Sequence, residues 1–279
     1  MADDFKFTRK RMVTVLKVPV SKDRLRAMPE DERALLILLG YVANQINLLS
    51  KLVIFSSNKT PDGVEHALCA AQTQMLARLA IGVLNEGWEL ISKRFLGSRI
   101  GRDYRPRLDA EGKAALDQLQ KTFGGSNVIN KIRTNYAFHH RYNSDVNGAF
   151  EVACNDAVSD ADWNWYFSHS GYNSFYFLSD LVIMHGMLGI VGETDLIAAQ
   201  DKIMIEVRSV SENMSQFIIS LTSAFWTMYL GTEMTGEVCS IIADAPALLT
   251  CGYRSLWKFP TRFPPRRHAK NALHYGELT

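Results

Sequence analysis

Arg133, His139 and His140 lie in the segment KIRTNYAFHHRY (Lys131–Tyr142), where residue types and spacing permit chemistry at a phosphate. An arginine stays charged and offers planar, paired donors to phosphate oxygens. A histidine titrates near neutrality and serves as base or acid. Five residues separate Arg133 from His139, and six separate it from His140. The same spacing recurs at Arg262–His268 and Arg267–His274, among prolines, with no helix to hold an Arg and a His in one geometry. The Arg133 pair instead sits on a helix pattern behind Gly124-Gly125. Ser126 or Asn127 is its N-cap, and Ile129, Ile132 and Tyr136 form its apolar face. A helix places His140 on nearly the same face as Arg133, because seven residues make almost two turns. His139 follows the aromatic Phe138, and both histidines stay candidates. The plain alternative is structural: Arg133 bonds a carboxylate or a helix end, and the histidines close a helix where positive charge is favoured.

Other chemistries find less purchase. The chain has no HExxH, no P-loop, no GxGxxG after a strand and no GxSxG elbow. Its histidines do not pair with Cys or carboxylates at metal-ligand spacing, so neither a metal nor a cofactor is expected. Gly186, Gly189 and Gly192 form a GxxGxxG at an apolar helix end, which reads as close packing and a helix stop rather than phosphate binding. His66 and His185 fall within helix patterns as core or surface residues, and His169 lies in a polar, aromatic loop. Cys69, Cys154, Cys239 and Cys251 are far apart, as expected of reduced thiols in a cytosolic protein.

The elements that must position these residues are mostly helices. A short strand is expected at about 12–20, and helices at about Asp31–Phe55 and Val64–Phe95, with Asp62 as an N-cap. On the second of these, Leu68, Ala71, Met75, Leu79, Val83, Trp88, Ile91 and Phe95 make the apolar stripe. A helix from about Asp109 to Phe123 precedes the Arg133 segment. Residues 147–167 lean towards strand and loop, and a helix follows at about 175–190. After Gly192, the series Leu196, Gln200, Ile203, Val207, Val210, Met214, Phe217, Leu221, Phe225 and Met228 steps by four and three. That is a helix of about nine turns, serving the core or a seam against a partner subunit. A break at Gly231 and a last helix near 236–250 complete the pattern. The expected fold is mainly α, a helical bundle with a few short accessory β-strands, in one domain over 1–279. The stretch Ala34–Phe55 is the most lipid-like, but Asn44, Gln45, Asn47 and Lys51 interrupt it, so no membrane span is expected.

Composition bounds the partners. With 31 Lys+Arg against 29 Asp+Glu the net charge is +2, which excludes a protein that coats nucleic acid over its whole surface. The charge is uneven, however. Ser92–Arg107 carries six basic residues, Arg94, Arg99, Arg102, Arg105 and Arg107 among them, against one acid. The tail at about 254–279 has six more in Arg254–Lys270, interleaved with Trp257, Phe259 and Phe263. Basic and aromatic residues together suit single-stranded RNA; the alternative is a solvated tail whose aromatics tuck onto the body. Residues 143–162, with five acids and no Lys or Arg, would repel RNA.

The Arg133–His139/His140 spacing, late in a helix and behind two long helices, resembles the R-x(4–6)-H signature of the HEPN superfamily, with AFHH as further likeness. Thr134 departs from the Asn or other polar residue common after the Arg. His140-Arg141-Tyr142 resembles the H-x-Y extension of some toxins of that superfamily. The resemblance covers about 60–150. It implies a helical bundle and a metal-independent endoribonuclease of stress, toxin or phage-defence systems, working as a homodimer. Arg133 would stabilise phosphate charge and His139 or His140 would transfer protons. Arg99, Arg102, Arg105, Arg107 and Tyr142 are the expected RNA contacts. The other implied reading is a non-catalytic module that binds RNA, a nucleotide or a protein regulator.

Overall fold

The computed structural model describes residues 11–57, 64–137, 144–155, 163–167, 169, 174, 176–231 and 237–243. The described chain is mainly helical. It opens with β1 (Arg11–Lys17), then α1 (Lys22–Ala27), α2 (Glu30–Ser56), α3 (Val64–Arg94) and α4 (Arg99–Tyr104). A 3-10 turn at Arg105–Arg107 leads to α5 (Ala110–Phe123) and α6 (Val128–Ile132). A π-turn at Arg133–Ala137 follows, then α7 (Ser144–Asn155), α8 (Phe177–Val191) and α9 (Leu196–Phe225). A second π-turn, Trp226–Leu230, and β2 (Glu237–Ala243) end the series. β1 and β2 pair antiparallel, Val15 opposite Cys239.

Side-chain caps set the helix starts. Ser98, Asp109, Asn127 and Asp195 accept from the backbone N–H groups of Gly101, Gly112, Asn130 and Ala198 at 3.1, 2.7, 2.8 and 2.7 Å, satisfying donors a helix leaves open. α8 stops where Gly192 turns left-handed at φ 71° and its N–H returns to Leu188 O.

The core sits where α3 and α9 cross α2 and α5. Ile203, Val207, Val210, Met214, Phe217, Leu221 and Phe225 are all buried, so α9 is a core helix; Met228, beyond its end, is half-exposed. Burying a side chain of this kind is worth about 1.5–3 kcal/mol. Phe95 meets Phe217 edge-on with centroids 5.2 Å apart, and Trp88 stacks on Phe123 at 4.9 Å. Gly87 lets α2, α3 and α9 approach closely: a Cβ there would lie 2.6 Å from Met214 Sδ and 2.9 Å from Val42 Cγ1.

Three expectations are corrected. Of residues 147–167, expected as strand and loop, 147–155 lie in α7, whereas 163–167 are non-helical; and Glu237–Ala243 form β2 rather than a helix. Of the stripe expected on α3, Ala71, Ile91 and Phe95 are buried, but the buried face runs through Ala77, Ile81 and Leu84 between them, and Met75 is exposed.

A buried carboxylate ties the near end of the bundle together. Glu32, on the first turn of α2, is 1 % exposed. Its Oε2 accepts from the hydroxyls of Tyr104 and Tyr229 at 2.6 and 2.7 Å, and its Oε1 accepts from Arg99 at 2.8 Å. Three donors, one of them a cation, are what a buried carboxylate requires. Burial and the bond to Glu32 hold the Tyr104 hydroxyl well above its ordinary range. Burial likewise raises Tyr229.

Candidate functional site at the Arg133 turn

Asn127 starts α6, and the buried Ile129 and Ile132 pin it to the core. The backbone then widens at Arg133 into the π-turn. Wide turns of this kind concentrate at functional positions in helices. The expectation of a regular helix through His140 is corrected here: residues 133–137 do not keep the α register on which the shared face of Arg133 and His140 depends. His139, His140 and Tyr142 lie outside the described residues.

Arg133 turns towards α3, where its Nη2 donates to Glu86 Oε1 at 2.9 Å. The two side chains are 31 % and 57 % exposed, so the pair sits at the protein–water boundary. The Nε of Arg133 is buried with no hydrogen-bond partner among the described residues. One edge of the guanidinium is thus fixed by a carboxylate, and its charge is partly offset.

Downstream, Asn135 and Tyr136 form one wall of an open groove of about 880 Å³. Gly148, Ala149, Val152 and Asn155 of α7 form a second wall, and α8 supplies a third from His185 onward, continued past its end by Glu193 and Thr194. Gly186 allows this meeting, because a Cβ there would lie 2.5 Å from the Tyr136 hydroxyl and 3.0 Å from Ala149 Cβ. Around Gly189 a Cβ would meet nothing within 4 Å. The GxxGxxG therefore combines close packing at Gly186, open groove at Gly189 and the helix stop at Gly192. His185 is buried, with Nδ1 2.8 Å from Leu181 O. A carbonyl only accepts, so Nδ1 carries the hydrogen.

The basic connector lies elsewhere. Arg99 is held by Glu32, Asp31 (3.0 Å) and Asp103 (3.2 Å), and its guanidinium draws the Asp31 carboxyl below its usual range. Arg105 pairs with Asp117 at 3.0 Å, and Arg107 Nε donates to Asp103 O at 3.1 Å. Arg102 and Arg105 line a shallow hollow of about 340 Å³ with Lys113 and Asp117, separate from the Arg133 groove. The tail from Arg254 lies outside the described residues. Nothing in the sequence marked Glu86 as the partner of Arg133, or Tyr136 as a groove wall. The one signal was their place on helical patterns that had to pack.

Among the described residues, no three His, Cys, Asp or Glu side chains gather as a metal site. Comparison with protein-family models, with curated proteins and with solved structures finds no match to this chain.

Proposed function

We propose that the chain is a HEPN-like, metal-independent endoribonuclease whose reaction centres on Arg133. The observation that carries this reading is the Arg133 turn itself. A helix capped by Asn127 ends in a π-turn that seats the guanidinium on Glu86 at 2.9 Å, one third exposed, just before a groove of about 880 Å³.

The chemistry needs few parts. The 2′-hydroxyl of RNA attacks the adjacent phosphorus and gives up its proton to a base. The P–O5′ bond breaks, and the leaving 5′-oxygen takes a proton from an acid. The products are a 2′,3′-cyclic phosphate and a 5′-hydroxyl. In this scheme His139 or His140 moves the protons, and Arg133 stabilises the charge that grows on the phosphorane oxygens. One chain supplies one Arg–His set, so two copies would complete a site. Glu86 would hold the Arg133 side chain in a single orientation, which lowers the entropy lost on meeting a phosphate. Arg102 adds cationic surface, since it makes no ion pair among the described residues.

The second reading, a helical module that binds RNA, a nucleotide or a protein regulator without cleaving, is favoured by the same Glu86. A carboxylate bonded to the guanidinium offsets the charge that a phosphorane would call on, a larger loss to catalysis than to binding. One assay decides between them. Purified protein is incubated with labelled single-stranded RNA in EDTA, beside Arg133→Ala and His139→Ala/His140→Ala. Cleavage by the parent chain, lost by at least about 100-fold in both variants, supports the enzyme. No cleavage by the parent, or equal cleavage by all three proteins, removes it.

A further inference from the structure

α2 carries two apolar seams, and the bundle uses one. The inner seam, Leu35, Leu39, Val42, Ile46 and Val53, is buried against the core. One residue back runs a second series: Leu38, Tyr41, Gln45, Leu48, Leu52 and Phe55. Its steps alternate three and four, the spacing of a helix-to-helix seam. Its five large apolar members are 37–61 % exposed. In the most apolar 18-residue window of α2, the share buried is 22 %.

We propose that this outer seam is a dimerisation surface, on which α2 of a second copy packs antiparallel. The series is symmetric about its own midpoint. Under a two-fold axis Leu38 meets Phe55 of the second copy, Tyr41 meets Leu52, and Gln45 meets Leu48. Every layer then pairs one seam position with its complement, and the head-to-tail helix dipoles attract. Gln45, the polar member near the centre, fixes the register. The seam is about 25 Å long. Half-exposed side chains of this size offer on the order of 100 Å² each. With Ile37 beside them, the six present roughly 600 Å² per copy, most of the ~800 Å² per partner of a stable interface.

Charge selects a second copy over other occupants. From Ala34 to Phe55 the one charged residue is Lys51, and the first turn carries Glu30 and Asp31, both exposed. Such a face offers little to RNA phosphates. It also lacks the Lys/Arg-rich border with which interfacial helices meet anionic headgroups. The seam is read from α2 alone, but a second copy is also what the proposed Arg–His site requires: a dimer that survives Leu48→Glu removes the seam and leaves that site, whereas a monomeric parent removes both.

The test is the mass of the full chain by light scattering at micromolar concentration, with helicity followed by circular dichroism. The parent chain is expected at twice 31.4 kDa. Leu48→Glu, which would bury a carboxylate opposite Gln45, is expected to weaken the dimer at least about 100-fold. Adding Gln45→Lys to Leu48→Glu is expected to restore it, because antiparallel register brings the introduced ammonium of one copy to the introduced carboxylate of the other. Should Leu48→Glu not fold, Tyr41→Lys with Leu52→Glu as its rescue makes the same test. A monomeric parent, a dimer indifferent to Leu48→Glu, or failure of the rescue pair overturns the proposal. So does a monomer that floats with phosphatidylcholine–phosphatidylglycerol vesicles, which would assign the face to lipid.

Discussion

Arg133 reaches back 47 residues to set its guanidinium 2.9 Å from Oε1 of Glu86. Glu86→Gln removes the charge and keeps the shape. For a pair this exposed the stability cost is about 0–1 kcal/mol, so Tm should fall by no more than about 4 °C in a thermal melt. The same variant should bind single-stranded RNA several-fold more tightly at low salt, measured by fluorescence anisotropy, because Arg133 loses an internal competitor. Weaker binding would instead show that the orientation Glu86 gives Arg133 outweighs its competition with phosphate.

Tyr104→Phe should cost about 1–3 kcal/mol, because it removes one of three donors from a carboxylate with no access to water. The expected fall in Tm is about 2–4 °C per kcal/mol. Urea unfolding gives the free energy directly, and an unchanged midpoint would show that Tyr229 and Arg99 suffice for Glu32.

Gly186→Ala and Gly189→Ala lie one turn apart and should behave oppositely. A methyl at Gly186 meets Tyr136 and Ala149, so a loss of about 1–3 kcal/mol is expected. A methyl at Gly189 meets nothing within 4 Å, so gains of up to about 1 kcal/mol in helix propensity are expected. Paired thermal melts separate the two, and equal effects would contradict the close approach of the Arg133 turn to α8.

Stability should decline at both pH extremes for traceable reasons. The Asp31 carboxyl is lowered, chiefly by its bond to Arg99, so its contribution is present above the ordinary carboxylate range and is lost as pH falls through the folded-state value. Because Asp31 is half-exposed, that loss should be small. Tyr104 is raised by burial, so its contribution is complete below its ordinary value of 10.0 and erodes as pH rises beyond it. Unfolding followed from pH 3 to 11 should show a shallow acid limb, flattened further by Asp31→Asn. An alkaline limb equally steep in Tyr104→Phe would count against the buried phenol.

Where the sequence was legible, local chemistry decided the structure. Asp109 and the Ser126-Asn127 pair announce helix starts by side-chain type, and Gly192 announces a stop. The four-and-three stepping from Ile203 to Phe225 identifies the core helix. Where it was not, the deciding partner lay far along the chain. β2 reads as a short apolar run, ambiguous between helix and strand until β1 pairs with it from the other end. α7 was obscured by its Asn, Ser and Gly content, and its packing along α8 supplies what propensity does not. Glu32 looks like an ordinary first-turn acid, since the tyrosines that bury it lie 72 and 197 positions away. Arg133 stood out as a candidate by its type, and Tyr136 as part of an apolar face, but the wide turn that holds both, the pairing with Glu86 and the groove did not.

The wide turn at Arg133–Ala137 also changes what a residue count means. Chemistry depends on angle around an axis, whereas a motif written as a spacing counts positions, and in an uninterrupted α-helix the two are interchangeable. A π-turn accommodates one extra residue per hydrogen-bonded loop, so it acts as a length buffer between the arginine and whatever follows. The loss of one residue within 133–137 can be taken up by trading wide turn for tight. Tolerance of variable spacing is then a mechanical property of the backbone at this point.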